Sequence, residues 1–197
     1  MSDPTIPDWI NAGAAAVGAF VLLFGLLGAN FKFNESQRTA RQTRRSHVAE
    51  ELIALSFNVD DALKEIRNPL SSIPKDKVDD KTYTYEKRYS VIVKYNDLFK
   101  RLRNAQIRVR AVIGDAAVDA AVEKLFKARN EVVIAIEILA DYEREDSLNS
   151  EDKSHRIELR RKMYGSYSER DEFGKTITSA VSLIEKNLSP IARLEQK

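Results

Sequence analysis

The chain has 197 residues, of which 31% are charged; it holds 7 glycines, 5 prolines and no cysteine, and its formal net charge is +2. The lack of cysteine excludes disulfides, thiolate metal sites and a cysteine nucleophile, and a nearly balanced charge gives no general pull toward nucleic acid. A body this charged and this poor in glycine and proline reads as long amphipathic helices, with enough chain for one ordinary core.

Pro4 and Pro7 keep the start extended, and Asp8 is placed to cap a helix beginning at Trp9. Residues 10–31, INAGAAAVGAFVLLFGLLGANF, contain no charged side chain, and Asn11 and Asn30 are the only strongly polar ones. As a helix this run rises roughly 33 Å, the thickness of a bilayer core. Residues 9–31 are therefore expected to form one transmembrane helix. Asp3 and Asp8 precede it, whereas Lys32, Arg38, Arg41, Arg44 and Arg45 follow against Glu35 alone. Because basic residues stay on the cytoplasmic side, residues 1–8 are expected outside the membrane and residues 32–197 in the cytoplasm. A cleaved signal peptide would need a basic start and a small-residue cleavage site, and this sequence offers an acidic start and GANFKF.

Within the apolar run, Asn11, Ala15, Gly18, Leu22, Gly25 and Ala29 recur at spacings of four and three and so share one stripe. Small residues in such a stripe let two helix backbones approach closely, which marks a face for a second copy or another membrane helix. Phe20, Leu23, Phe24 and Leu27 lie opposite and suit lipid. The juxtamembrane cations act first as a topology signal and can also meet anionic headgroups, at roughly 1 kcal/mol each near the surface.

The helix is expected to continue through residues 34–67, with Val48, Leu52, Leu55, Val59, Ala62 or Leu63, and Ile66 as its apolar stripe. Asn68-Pro69 ends it, since the residue before proline leaves the helical region. After a polar connection over 68–82, a second helix is expected over 83–113, through Tyr85, Tyr89, Ile92, Tyr95, Phe99, Leu102, Ala105, Val109 and Val112. Gly114-Asp115 supplies a C-terminal glycine and an N-capping aspartate, the shortest turn between antiparallel helices. A third helix over 116–144 follows, through Val118, Val122, Leu125, Val132, Ile136 and Leu139. The fourth region, 155–194, begins with Ile157, Tyr164 and Tyr167 and regains regular spacing at Ile177, Val181, Ile184 and Leu188. Gly165 and Gly174 mark a break over 165–174, with Ser168 as a cap, and Ser189-Pro190 ends or bends the last helix. Strand and hairpin signals are missing. The expected fold is thus all-α: one N-terminal membrane helix continuing into an antiparallel cytosolic bundle of about four long helices.

Lys87, Lys94, Arg101 and Arg108 recur every seven residues as a basic stripe, flanked by Arg88, Lys100, Arg103 and Arg110. Such a stripe can follow a polyanion. The acids of the third helix (Asp115, Asp119, Glu123, Glu131, Glu137, Asp141, Glu143 and Glu145) favour pairing inside the fold instead, and tyrosines 83, 85, 89 and 95 at helical spacing read as core rather than base-stacking residues. No catalytic motif assembles, so the chain is not read as an enzyme. Gly174-Lys175-Thr176 resembles the end of a phosphate-binding loop, but Glu169 stands where its first glycine belongs and no strand precedes it. His47 with Glu51, and Glu151 with His155, each lack a third metal ligand. No cofactor and no small-molecule substrate is implied, and nucleic acid is disfavoured. The sequence therefore points to a single-pass, self-associating interaction or assembly module in contact with membrane lipid. A bilayer-permeabilising effector and a membrane tether for a polyanion are the alternatives.

Overall fold

A computed structural model of the chain describes the backbone of residues 8–70, 72–145, 152–165 and 170–195, and the side chains in those ranges from residue 35 on, residue 152 excepted. The described residues form six α-helices and one 3-10 turn, with no strand among them. The helices are α1 (Asp8–Ile66), α2 (Tyr83–Lys94), α3 (Asn96–Val112), α4 (Ala116–Arg144), α5 (Asp152–Met163) and α6 (Glu172–Ala192), and the 3-10 turn is Lys75–Lys77. The protein is all-α and its body is a helical bundle.

The chain divides into two units, residues 1–44 and residues 45–197, and α1 runs through the division. In the first unit, residues 35–44 are helical and exposed on every side. Among the described residues no helix is long and apolar enough to cross a membrane. The side chains of residues 10–31, on which the transmembrane expectation rests, lie outside those described.

The second unit is built from four rods. The stripe of α1 expected from the spacing of three and four is buried throughout: Val48, Leu52, Leu55, Val59, Ala62, Leu63 and Ile66. Facing it are Phe99, Leu102, Ala105 and Val109 of α3, Val118, Val122 and Leu125 of α4, and Ile177, Val181, Ile184 and Leu188 of α6. Antiparallel register follows from the pairs that cross between rods: Arg108 with Glu51 at 2.6 Å, Arg110 with Asp119 at 2.7 Å, and Ser46 Oγ donating to the carbonyl of Ala192 at 2.6 Å.

The second rod differs from the expectation. A single helix over 83–113 is replaced by α2 and α3, parted at Tyr95, whose N–H turns to the carbonyl of Ile92 at 3.1 Å. The fourth rod is likewise two helices, α5 and α6; the break, residues 164–171, overlaps the expected 165–174 interval but begins earlier and leaves Gly174 inside α6. Both breaks lie where α1 stops. Lys94 meets Glu65 at 3.0 Å, Arg129 meets Asn96 at 2.8 Å, Lys162 meets Glu131 at 3.1 Å, and Arg67 meets Asp171 at 2.8 Å. Below this level α1, α3, α4 and α6 share a four-helix core. Above it, among the described residues, the helices that continue are α2, α4 and α5. The sequence is weakly helical at both places, VIVKYND over 91–97 and YGSYSERDEFG over 164–174, so a break there costs little.

Three local expectations are corrected by the same packing. Tyr89 is 45% exposed, because the buried line of α2 passes through Tyr85, Arg88 and Ile92 instead. Ile157 is exposed while Leu159 and Met163 face the core of α5. Pro190 does not end α6, which runs on to Ala192 before Leu194 takes a φ of 57°. So near a helix end, proline removes only one late hydrogen bond. The Gly114-Asp115 turn forms as expected. Gly114 has a φ of 75°, and the Asp115 carboxylate accepts from the N–H groups of Ala117 and Val118 at 2.8 and 3.0 Å.

Candidate functional site

The level at which α1 ends holds the two buried arginines found among the described residues, Arg67 and Arg88. A helix end leaves its last carbonyls without intrahelical partners, and burial makes that costly. Here two arginines supply the donors. Arg88, reaching across from α2, donates from Nη1 to the carbonyl of Ile66 at 2.7 Å and from Nη2 to that of Asn68 at 2.6 Å. It is 4% exposed and lies 4.5 Å over the Tyr164 ring. Among the described residues no carboxylate bonds to it, and burial pushes its pKa below the ordinary arginine value, partly opposed by Tyr164. The partial negative charge of the α1 C-terminus compensates the buried cation.

Arg67, also 4% exposed, closes the other rod. Its Nε donates to the carbonyl of Lys162 at 2.9 Å, and its Nη2 to those of Arg161 and Tyr164 at 3.1 and 3.2 Å. These are the carbonyls that the end of α5 leaves open. The same Nη2 meets Asp171 Oδ1 at 2.8 Å, and that carboxylate caps α6 by accepting from the N–H of Gly174 at 2.9 Å. Gly165 N–H donates to the Arg67 carbonyl at 2.7 Å, and Phe173 places its ring 4.8 Å from the guanidinium carbon. One side chain therefore joins the end of α1, the end of α5 and the start of α6. Ser168, the expected cap, lies outside the described residues; the cap observed is Asp171.

Beside this pair opens a cavity of about 730 Å³ between the last turns of α1 and the first turns of α6. Leu63, Pro69 and Ile177 form its apolar surface; Lys64, Lys175, Thr178, Ser179 and Ser182 bring polar groups; and Arg67, Asp171, Gly165 and Gly174 lie at the junction. Lys64 is held by Asp60 at 2.7 Å, which raises its pKa chiefly through that hydrogen bond. The two glycines differ. A Cβ on Gly174 would fall 2.5 Å from Asp171 Oδ2, so the cap requires glycine there, whereas one on Gly165 would make ordinary contacts at 3.5 Å with Arg67.

The residues singled out from sequence lie elsewhere. Asn11, Ala15, Gly18, Leu22, Gly25, Ala29 and Lys32 fall within α1, with side chains outside those described. Arg38, Arg41, Arg44 and Arg45 are exposed on α1. The basic stripe is divided between α2 (Lys87, Lys94) and α3 (Arg101, Arg108), and it faces α1 rather than α4. Lys87 donates to the carbonyl of Ser72 at 2.9 Å, Lys94 pairs with Glu65, and Arg108 pairs with Glu51. Arg101 is exposed. It is the flanking cations that meet the acids of α4: Arg103 with Glu123, and Arg110 with Asp119. Hydrogen bonds from Tyr95 and then Lys94 lower the Glu65 pKa, and Arg103 followed by Gln106 lowers that of Glu123.

Sequence reasoning missed Arg67, Arg88 and Gln106. A usable signal existed for two of them. Positions 85, 88, 92, 95, 99, 102, 106 and 109 keep the three-four alternation, and two of these carry Arg88 and Gln106. A polar residue on a core stripe asks for a buried partner. Gln106 finds them in Asp119 Oδ1 at 2.8 Å and Glu123 Oε1 at 2.9 Å. Compared with known protein families, curated proteins and solved structures, the chain matches none.

Proposed function

We propose that the chain is a single-pass membrane protein whose helical bundle serves as an interaction or assembly module, self-associating through the face formed by Asn11, Ala15, Gly18, Leu22, Gly25 and Ala29. The observation that carries the reading is the uncharged run over residues 10–31, followed on the same helix, α1, by exposed arginines at 38, 41, 44 and 45. An apolar run of that length suits a bilayer core, and arginines just beyond it suit the cytoplasmic headgroup layer. The polyanion alternative has less support, because Lys94 and Arg108 spend their charge on Glu65 and Glu51.

Two measurements test this. Alkaline extraction of membranes should leave the protein in the pellet, and its release into the supernatant would end the membrane reading. The oligomeric mass in detergent should fall on substituting Gly18→Ile together with Gly25→Ile, since isoleucine at both sites holds the backbones apart. An unchanged mass would remove this helix from the assembly.

A further inference from the structure

The cavity beside Arg67 has the features of a built site, and we propose that it binds a small organic anion: an apolar body carrying one carboxylate or phosphate group, seated on Arg67 Nη1. This inference stands on the bundle alone and goes beyond the assembly reading. The volume, about 730 Å³, lies in the range of small-molecule sites. The decisive atom is Nη1. Arg67 is buried, and its Nε and Nη2 bond to three carbonyls and to Asp171, while no acceptor among the described residues meets Nη1. The Nη1 edge of this largely buried guanidinium opens onto the cavity with two N–H groups that no described residue accepts, so a ligand acceptor can take them.

Glycines leave that edge open. A Cβ on Gly174 would stand 3.2 Å from Nη1 and one on Gly165 would stand 3.9 Å from it, and both residues line the cavity. Any side chain at these positions would occupy the space an anion needs. The start of α6 lies beside the same edge and adds the positive end of a helix dipole. The lining carries three cations, Lys64, Arg67 and Lys175, against two carboxylates, Asp60 and Asp171. The lysines are more than half exposed and held by Asp60 and Glu172, so they add little, and the buried guanidinium decides the preference for an anion.

The remaining surface defines the ligand's body. Leu63, Pro69 and Ile177 offer apolar area, and the exposed hydroxyls of Thr178, Ser179 and Ser182 make no hydrogen bond among the described residues. A ligand with an apolar body and a single anionic group satisfies both the walls and Nη1. A bare inorganic ion would leave the walls wet. A neutral molecule would offer the guanidinium edge only an uncharged acceptor, a weaker partner than a carboxylate or phosphate.

Calorimetric titration of the full chain with phenyl phosphate and with benzoate, against benzyl alcohol as the neutral counterpart, tests the assignment. One saturable site is expected for at least one anion at millimolar concentration, the range for probes this small, with benzyl alcohol weaker by about tenfold or more. Ser179→Trp and Ser182→Trp each fill the cavity from an exposed position on α6 and should abolish that binding with helical content retained. Ile107→Trp, on the exposed side of α3, should leave it unchanged. Absence of saturable binding by both anions would overturn the proposal. Equal binding of benzyl alcohol would overturn the anionic class, and binding that survives in a folded tryptophan variant would overturn the location.

Discussion

Replacing Arg67 by alanine isolates what the junction contributes to stability. The change leaves Asp171 without its ion pair and deprives the carbonyls of Arg161, Lys162 and Tyr164 of their donors at the end of α5. The two partners are 5% and 13% exposed at their side chains, so solvent screens neither strongly. Breaking a buried pair by removing one partner costs about 3–5 kcal/mol. Part of the loss at the carbonyls is recovered by water entering from the adjacent cavity, which keeps the expected total near the same about 3–5 kcal/mol instead of a sum over four bonds. For a body of this size that lowers the melting temperature by roughly 10 °C. Urea unfolding followed by circular dichroism gives the energy, and amide exchange locates it: the N–H groups of Gly165 and Gly174 should lose protection first. Arg67→Lys should recover only part, because one ammonium cannot present a planar fork to several acceptors. A loss below about 1 kcal/mol, the scale of a solvent-exposed pair, would refute the view that this residue ties three helix ends together.

Two further outcomes are expected. Gly174→Ala should destabilise the bundle by about 1–3 kcal/mol, an overpacking cost, whereas Gly165→Ala should be nearly neutral; the inserted Cβ would meet Asp171 Oδ2 at 2.5 Å in the first case and only Arg67 at 3.5 Å in the second. Equal effects in thermal unfolding would contradict the geometry. Stability should also fall in acid. The folded-state pKa values of Glu65 and Glu123 are lowered by Tyr95 with Lys94 and by Arg103 with Gln106. Their contribution is therefore complete above the ordinary carboxylate value of about 4.3 and is lost as pH falls through the lower folded values. Urea midpoints measured from pH 6 downward should show this acid limb, and Glu123→Gln should flatten it; an unaltered limb would remove Glu123 from the account.

Much of the helical architecture follows from the sequence by itself, because it depends on near neighbours. The stripe from Val48 to Ile66 repeats at three and four, and a helix puts those positions on one face, so burial of that face is dictated locally. Asn68-Pro69 stops α1 by a clash within two residues, and Gly114-Asp115 turns the chain through one positive φ and one short cap. The uncharged run over residues 10–31 is equally plain in the sequence, and the membrane reading still rests on it. The break between α5 and α6 is legible from Gly165 and the polar stretch after it, whereas the one at Tyr95 is not expected from the apolar spacing. Val91, Ile92, Val93, Asn96 and Asp97 around Tyr95 are weak helix formers, yet their spacing keeps the apolar line unbroken; the interruption falls level with the end of α1, where Lys94 meets Glu65. Arg67 shows the limit most clearly, since its acceptors and its ion-pair partner lie 94 to 104 residues further along the chain. Only when α1, α5 and α6 are brought together does that side chain become a junction, with one edge facing a cavity.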